Sequence, residues 1–164
     1  MIELNYVSVT LDNYTTFQDY MIQYAKELDE HQGRNTDSEI LKRWTNSIAE
    51  KQFDKGGCLK LCCYGAETIG FLYGKIDQPD DKGFKKVGYG YIVEFYVLSE
   101  YRRKGFGKEM YLYLEDFFRR NYVKNIYLTA DPVTGKPFWE AMGFADTGEI
   151  SPENKQTIYE KALI

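Results

Sequence analysis

Residues 89–98, YGYIVEFYVL, are apolar or aromatic almost without interruption, with Glu94 the one acid among them. A strand of that composition is stable only where both of its faces are covered, so it predicts a central strand with layers packed above and below. The run stops at Leu98, and past a basic turn the hydrophobic period changes. From Gly105 onward Phe106, Met110, Tyr113, Leu114, Phe117 and Phe118 recur at spacings of three and four, while Glu109, Asp116 and Arg120 take the opposite face. That pattern predicts a helix of about four turns. A buried strand running into an amphipathic helix calls for a mixed α/β layer architecture.

The rest of the chain can be read outward from this unit. IELNYVSV alternates apolar and polar residues and predicts a first strand. Thr15 and Gln18 suit a capping box ahead of an apolar stripe of Phe17, Tyr20, Met21, Tyr24 and Leu28, and Thr36 with Glu39 suits a second one ahead of Ile40, Leu41, Trp44 and Ile48. CLKLCCYG and TIGFLYGKID read as a hairpin, and QPDDKGFKKVG as a long exposed loop. NIYLTA predicts a strand, GKPFWEAM a short helix capped by Gly143, and FADTGEI with QTIYEKAL a closing strand pair. The element order is β-α-α-β-β-β-α-β-α-β-β. No repeat, low-complexity tract or linker marks a boundary, so residues 1–164 are expected to form one domain.

Composition narrows the function classes. The chain has 25 acidic and 21 basic residues, which argues against a nucleic-acid binder, since phosphate contacts need a spread basic surface. No secretory leader pattern and no apolar run of about 18 residues is present, which predicts a soluble, cytoplasmic protein with no membrane partner. Cys58, Cys62 and Cys63 are odd in number and read as reduced, small apolar strand residues; with His31 the single histidine, no zinc ligand set emerges, and no metal is expected.

SEYRRKGFGKEM, residues 99–110, sets Arg102, Arg103 and Lys104 beside Gly105 and Gly107 at the mouth of the long helix. The first N–H groups of a helix have no intrahelical acceptor and lie at the positive end of its dipole, so they hold anions. Glycine removes the side chains that keep a phosphate from the backbone, and the cations add charge-assisted contacts. The stretch therefore reads as a pyrophosphate cradle. It is not a Walker A loop, because Glu109 follows Gly107-Lys108 and YRRK supplies no glycine at the upstream spacing that loop needs; nor is it a dinucleotide fingerprint, whose third glycine would fall on Met110.

The stretch does fit Arg/Gln-x-x-Gly-x-Gly/Ala. Arg102, Gly105 and Gly107 resemble the acetyl-CoA signature of the GNAT superfamily of N-acetyltransferases, the strand in VEFYVLSEYRRKGFGKEM resembles the one that precedes it there, and PFWEAMGF resembles the family's FYEKLGF block. The resemblance covers essentially the whole chain. It implies a central mixed, mostly antiparallel sheet flanked by helices, acetyl-CoA as cosubstrate, and an amine-bearing acceptor. It further implies that the backbone of Phe95, Tyr96 and Val97 pairs with the pantetheine arm, and that residues 102–108, Arg102, Arg103, Lys104, Gly105, Phe106, Gly107 and Lys108, hold the pyrophosphate.

Acetyl transfer to an amine needs a base to supply the neutral nucleophile, and Glu94, an acid among Ile92, Val93, Phe95, Tyr96 and Val97, suits that task because burial raises a carboxyl pKa. The other reading of Glu94 is a structural ion pair. Where many family members have a tyrosine as proton donor this chain has Trp139, whose indole N–H does not exchange protons at neutral pH. Either Tyr127 or Tyr96 takes that part or the thiolate leaves without a dedicated donor, and the family's frequent asparagine falls on Pro132. The resemblance places the oxyanion donor at a backbone N–H near Val97. Asp77, Asp80 and Asp81 with Tyr89 and Tyr91 read either as a cage for a cationic amine or as an ordinary charged loop, and His31 as a residue of the turn between the first helices. A non-catalytic acyl-CoA-binding or regulatory domain is the alternative function, and the closing strand pair leaves both a monomer and a homodimer open.

Overall fold

The computed structural model describes residues 2–55, 57–133 and 135–164. The elements are β1 (Asn5–Ser8), α1 (Tyr14–Gln32), α2 (Ser38–Lys55), β2 (Cys58–Tyr64), β3 (Glu67–Ile76), β4 (Gly90–Val97), a 3-10 turn (Ser99–Tyr101), α3 (Phe106–Arg120), β5 (Asn125–Ala130), α4 (Gly135–Ala141), β6 (Ala145–Ile150) and β7 (Thr157–Ala162). This is the order read from the hydrophobic periods. The strands form one sheet in the order β1-β2-β3-β4-β5-β7-β6, with β1/β2, β5/β7 and β6/β7 antiparallel and β4/β5 parallel. The chain divides into two compact units, Met1–Tyr73 with Glu94–Met110, and Gly74–Val93 with Tyr111–Ile164. Each unit is assembled from two stretches of chain, so neither is a contiguous domain of sequence.

In the first unit α1 buries Phe17, Met21 and Ala25, and Phe17 meets Phe71 of β3 edge-on at 5.6 Å. The helix starts one residue before Thr15: Asn13 is its N-cap, its carbonyl accepting from Phe17 N while its side chain ties Thr10 N and Ser8 O. Thr36 does not cap α2 either. Its N–H and hydroxyl donate to Asp29, and Asp37 takes the cap, accepting from Glu39 N through its side chain and from Leu41 N through its carbonyl. A carboxylate one residue nearer the helix outcompetes the hydroxyl for those donors. Ile40, expected in the core, is half exposed, and the buried face of α2 runs through Leu41, Thr45, Ile48 and Ala49.

β3 approaches β4 closely because residue 70 is glycine: a Cβ there would lie 2.0 Å from Tyr96 O. Beside this contact Leu98 N donates to Ile69 O at 2.8 Å.

In the second unit β5 is buried almost throughout, and Tyr111, Trp139 and Phe144 pack edge-to-face at 5.4–5.9 Å. Trp139 is thereby a core residue. The stretch 77–89 is not simply an exposed loop. Asp77 is buried, accepts from Lys86 N and from the Tyr127 hydroxyl, and pairs with Lys75. The Tyr127 ring stacks on Tyr91 at 4.6 Å and meets Phe84 and Tyr89 edge-on. Asp77 and Phe84, which read in sequence as parts of a charged loop, are drawn in by this tyrosine. Among the described residues no helix is long and apolar enough to cross a membrane.

Candidate active site

β4 alternates buried and half-buried positions along its length, so Glu94 and Tyr96 share one face while Phe95 and Val97 share the other. Around that first face stand Tyr24 of α1 and Phe71 of β3: Tyr24 lies 5.2 Å from Tyr96 and 5.7 Å from Phe71, and Phe71 lies 5.8 Å from Tyr96, ring to ring. Glu94 is 8% exposed among them. Burial pushes its carboxyl up to about 8, against a smaller opposing pull from the Tyr24 hydrogen bond. Among the described residues, what acts on Glu94 is burial and the Tyr24 phenol. A carboxyl held near neutrality accepts a proton at working pH.

Tyr96 is buried, hydrogen-bonded to Gln23 of α1, and lies under the Arg102 guanidinium at 5.5 Å. Burial, with Glu27 nearby, keeps its phenol above the usual range in spite of Arg102 and Gln23, so it stays protonated. Its hydroxyl is a proton donor at neutral pH.

After β4 the turn takes two left-handed residues, Arg103 with φ 60° and Gly105 with φ 88°. The first bond of α3 is donated by Glu109 N to Gly105 O at 3.3 Å, which leaves the N–H groups of Phe106, Gly107 and Lys108 ahead of the helical ladder. Arg103, Lys104 and Lys108 are exposed beside them. The Phe106 side chain is buried against Tyr64 and Tyr101 at 5.0 and 5.7 Å, so Phe106 offers only its backbone. Arg102 differs from its basic neighbours: Nε donates to Val97 O at 2.8 Å and Nη2 to Glu27 Oε2 at 2.6 Å. In this structure its fork is engaged by the protein.

The β4/β5 ladder pairs Gly90 with Ile126 and Tyr91 with Tyr127 and, among the described residues, goes no further. Tyr127, the other proton-donor candidate, is buried with its hydroxyl donated to Asp77, and burial followed by that carboxylate raises its pKa far above the ordinary phenol range. Asp81 accepts from Lys75 and from Gln78 N, and Asp77 is enclosed, so both serve the loop they stand in. His31 belongs to the last turn of α1 rather than to the connection that follows. Tyr24 and Glu27 were missed as site residues. Tyr24 read only as part of an apolar stripe; the signal available was that the two are three apart on one helix, and so share a face.

Residues 15–144 match the model of the Acetyltransferase (GNAT) family. Among solved structures, a GNAT-family acetyltransferase from Staphylococcus aureus Mu50 superposes with a TM-score of 0.76 at 13% identity, over 99% of this chain and 100% of its own. The PaiA N-acetyltransferase from Thermoplasma acidophilum, in complex with coenzyme A, gives 0.72 at 15% identity, over 99% and 100%. A GNAT-family acetyltransferase from Listeria monocytogenes 4b F2365 gives 0.66 at 20% identity, over 99% and 96%. At these identities the likeness shows the fold. No curated protein matches the sequence significantly. With the family match spanning most of its length, the chain belongs to the GNAT acetyltransferase family and is an acyltransferase.

Proposed function

We propose that the protein transfers an acetyl group from acetyl-CoA to a primary amine of a small molecule or peptide, by direct attack with Glu94 as general base. The observation that carries this reading is the buried Glu94 carboxyl, pushed up to about 8, on the strand that leads into the unladdered N–H groups of α3. The amine nitrogen attacks the thioester carbonyl as Glu94 takes its proton. The oxyanion is met by the Val97 N–H, because the next one, on Leu98, is already donated to Ile69 O. The C–S bond then breaks and the departing thiolate takes a proton from Tyr96. Tyr127, with its hydroxyl on Asp77, is read as the pin of the 77–89 loop rather than as the acid.

Donor binding is assigned to the turn and to β4. The N–H groups of residues 106–108, with Arg103, Lys104 and Lys108, hold the pyrophosphate, and the pantetheine arm adds along Phe95–Val97. The coenzyme A bound by the Thermoplasma acidophilum relative supports this choice of donor. Residues 1–164 are read as one GNAT domain of a cytoplasmic enzyme, in keeping with its free cysteines at 58, 62 and 63.

The test is thiol release from acetyl-CoA across a panel of amines, run beside Glu94→Gln. Turnover with at least one amine, lost in the variant while acetyl-CoA still binds, supports the reading. Binding without turnover on any amine replaces it with a non-catalytic acyl-CoA-binding domain.

A further inference from the structure

We propose that Glu27 is a positioning residue for the donor site: by holding Arg102 it fixes the turn that presents the start of α3 to the donor phosphates. The inference rests on the reading of acetyl-CoA as donor. One guanidinium joins the turn to two elements, with Nε on Val97 O at the end of β4 and its carbon 5.5 Å from the centre of the Tyr96 ring on the same strand, and Nη2 on Glu27 Oε2 of α1. Glu27 precedes Arg102 by 75 positions, so the pair staples the turn to a distant element. The two side chains are 25% and 33% exposed, which shields the pair more than an ordinary surface contact.

The turn needs such a tie. Two of its residues are left-handed, and one of them, Arg103, carries a Cβ that this conformation disfavours. A turn under that strain relaxes unless something outside it holds its shape. Backbone N–H groups bind an anion well only when they already converge, since ordering them at the moment of binding weakens affinity. Arg102 and Glu27 provide that order in advance.

The alternative, in which Arg102 is itself a phosphate ligand, makes the opposite prediction. Glu27 would then be an anion competing for the guanidinium and repelling the donor, and its removal would tighten binding.

The test is calorimetric titration of the intact protein with acetyl-CoA, together with steady-state kinetics. Glu27→Ala is expected to raise the Kd and the KM for acetyl-CoA by about tenfold while the KM for the amine moves by less than about twofold. A Kd that is unchanged or lower overturns the proposal. Arg102→Lys keeps the positive charge but replaces the fork with a single ammonium, which no longer bridges Val97 O and Glu27 Oε2 as the guanidinium does. It is expected to weaken acetyl-CoA binding as Glu27→Ala does, and the double variant is expected to be no weaker than either single one. Additive losses overturn the coupling. Wild-type protein that binds no acetyl-CoA overturns the donor reading itself, an outcome the variants are not needed to recognise.

Discussion

Glu94 ties the chemistry to the stability of the protein. Its carboxyl moves from 4.5 to about 8 on folding, so between those values the folded protein holds a proton that the unfolded chain has lost. Stability therefore falls as pH rises through that window. Glu94→Gln removes the ionisable group, so its unfolding free energy should equal that of the wild type near pH 4.5 and exceed it increasingly up to about pH 8, by about a few kcal/mol at most, read from denaturant titrations across that pH range. Activity should run the other way. In the wild type kcat/KM should rise with pH through about 8 as the base ionises, and in Glu94→Gln it should drop by about 10²–10⁴-fold and lose that rise. Tyr24→Phe deletes the one hydrogen bond that pulls the carboxyl down, so the midpoint of the wild-type pH–rate profile should move upward in that variant. Glu94 was legible in the sequence because an acid in an apolar strand is conspicuous. Tyr24 and Glu27 were not, because what defines them is a partner some 70 positions away, which no local pattern records.

Two backbone positions decide how the elements meet. At Gly70 the obstacle to a side chain is the carbonyl of Tyr96, which cannot swing aside as a flexible side chain would. Gly70→Ala should therefore destabilise the protein by about 3 kcal/mol or more, read as a lower denaturant midpoint, and should weaken acetyl-CoA binding by displacing the β4 residues beside the donor. Arg103 offers a contrast. Its φ of 60° suits glycine, so Arg103→Gly should leave stability unchanged or raise it by up to about 1 kcal/mol while lowering acetyl-CoA affinity through the lost charge. The order of elements was legible because each helix and strand declares its own period. The helix starts were not: Thr15 and Thr36 satisfy a capping pattern, but α1 begins after Asn13, whose side chain is tied to Thr10 and Ser8, and Asp37 takes the Glu39 N–H that Thr36 would have held. The 77–89 loop was misjudged for a related reason. Prolines, glycines and charges mark a break in regular structure, and the Tyr127 hydroxyl, 50 positions away, is what local pattern could not add to the nearby Lys75 and Lys86 contacts that hold Asp77 inside.

Across the whole molecule a net charge of −4 coexists with a single basic turn, so donor binding draws on local cations against an acidic background. Arg103, Lys104 and Lys108 are exposed, and their attraction for phosphates is screened by salt over a Debye length of about 10 Å at 0.1 M. A ligand that binds only the folded state at about 100 times its Kd stabilises by roughly 2.7 kcal/mol, which for a chain of this length moves the thermal midpoint by about 5–10 °C. Acetyl-CoA should produce that shift, and ATP and NAD should not, because the turn lacks the upstream glycine of a Walker A loop and has Met110 where a dinucleotide fingerprint has its third glycine. At a fixed acetyl-CoA concentration near its Kd, added salt should shrink the shift as the contribution of the exposed cations is screened. A salt-insensitive shift would mean that backbone N–H groups and pantetheine contacts carry the affinity alone. The same titration on Lys104→Ala separates the cases: its shift should be smaller than that of the wild type at low salt and should converge with it at high salt, because the charge removed is the one that salt would otherwise screen.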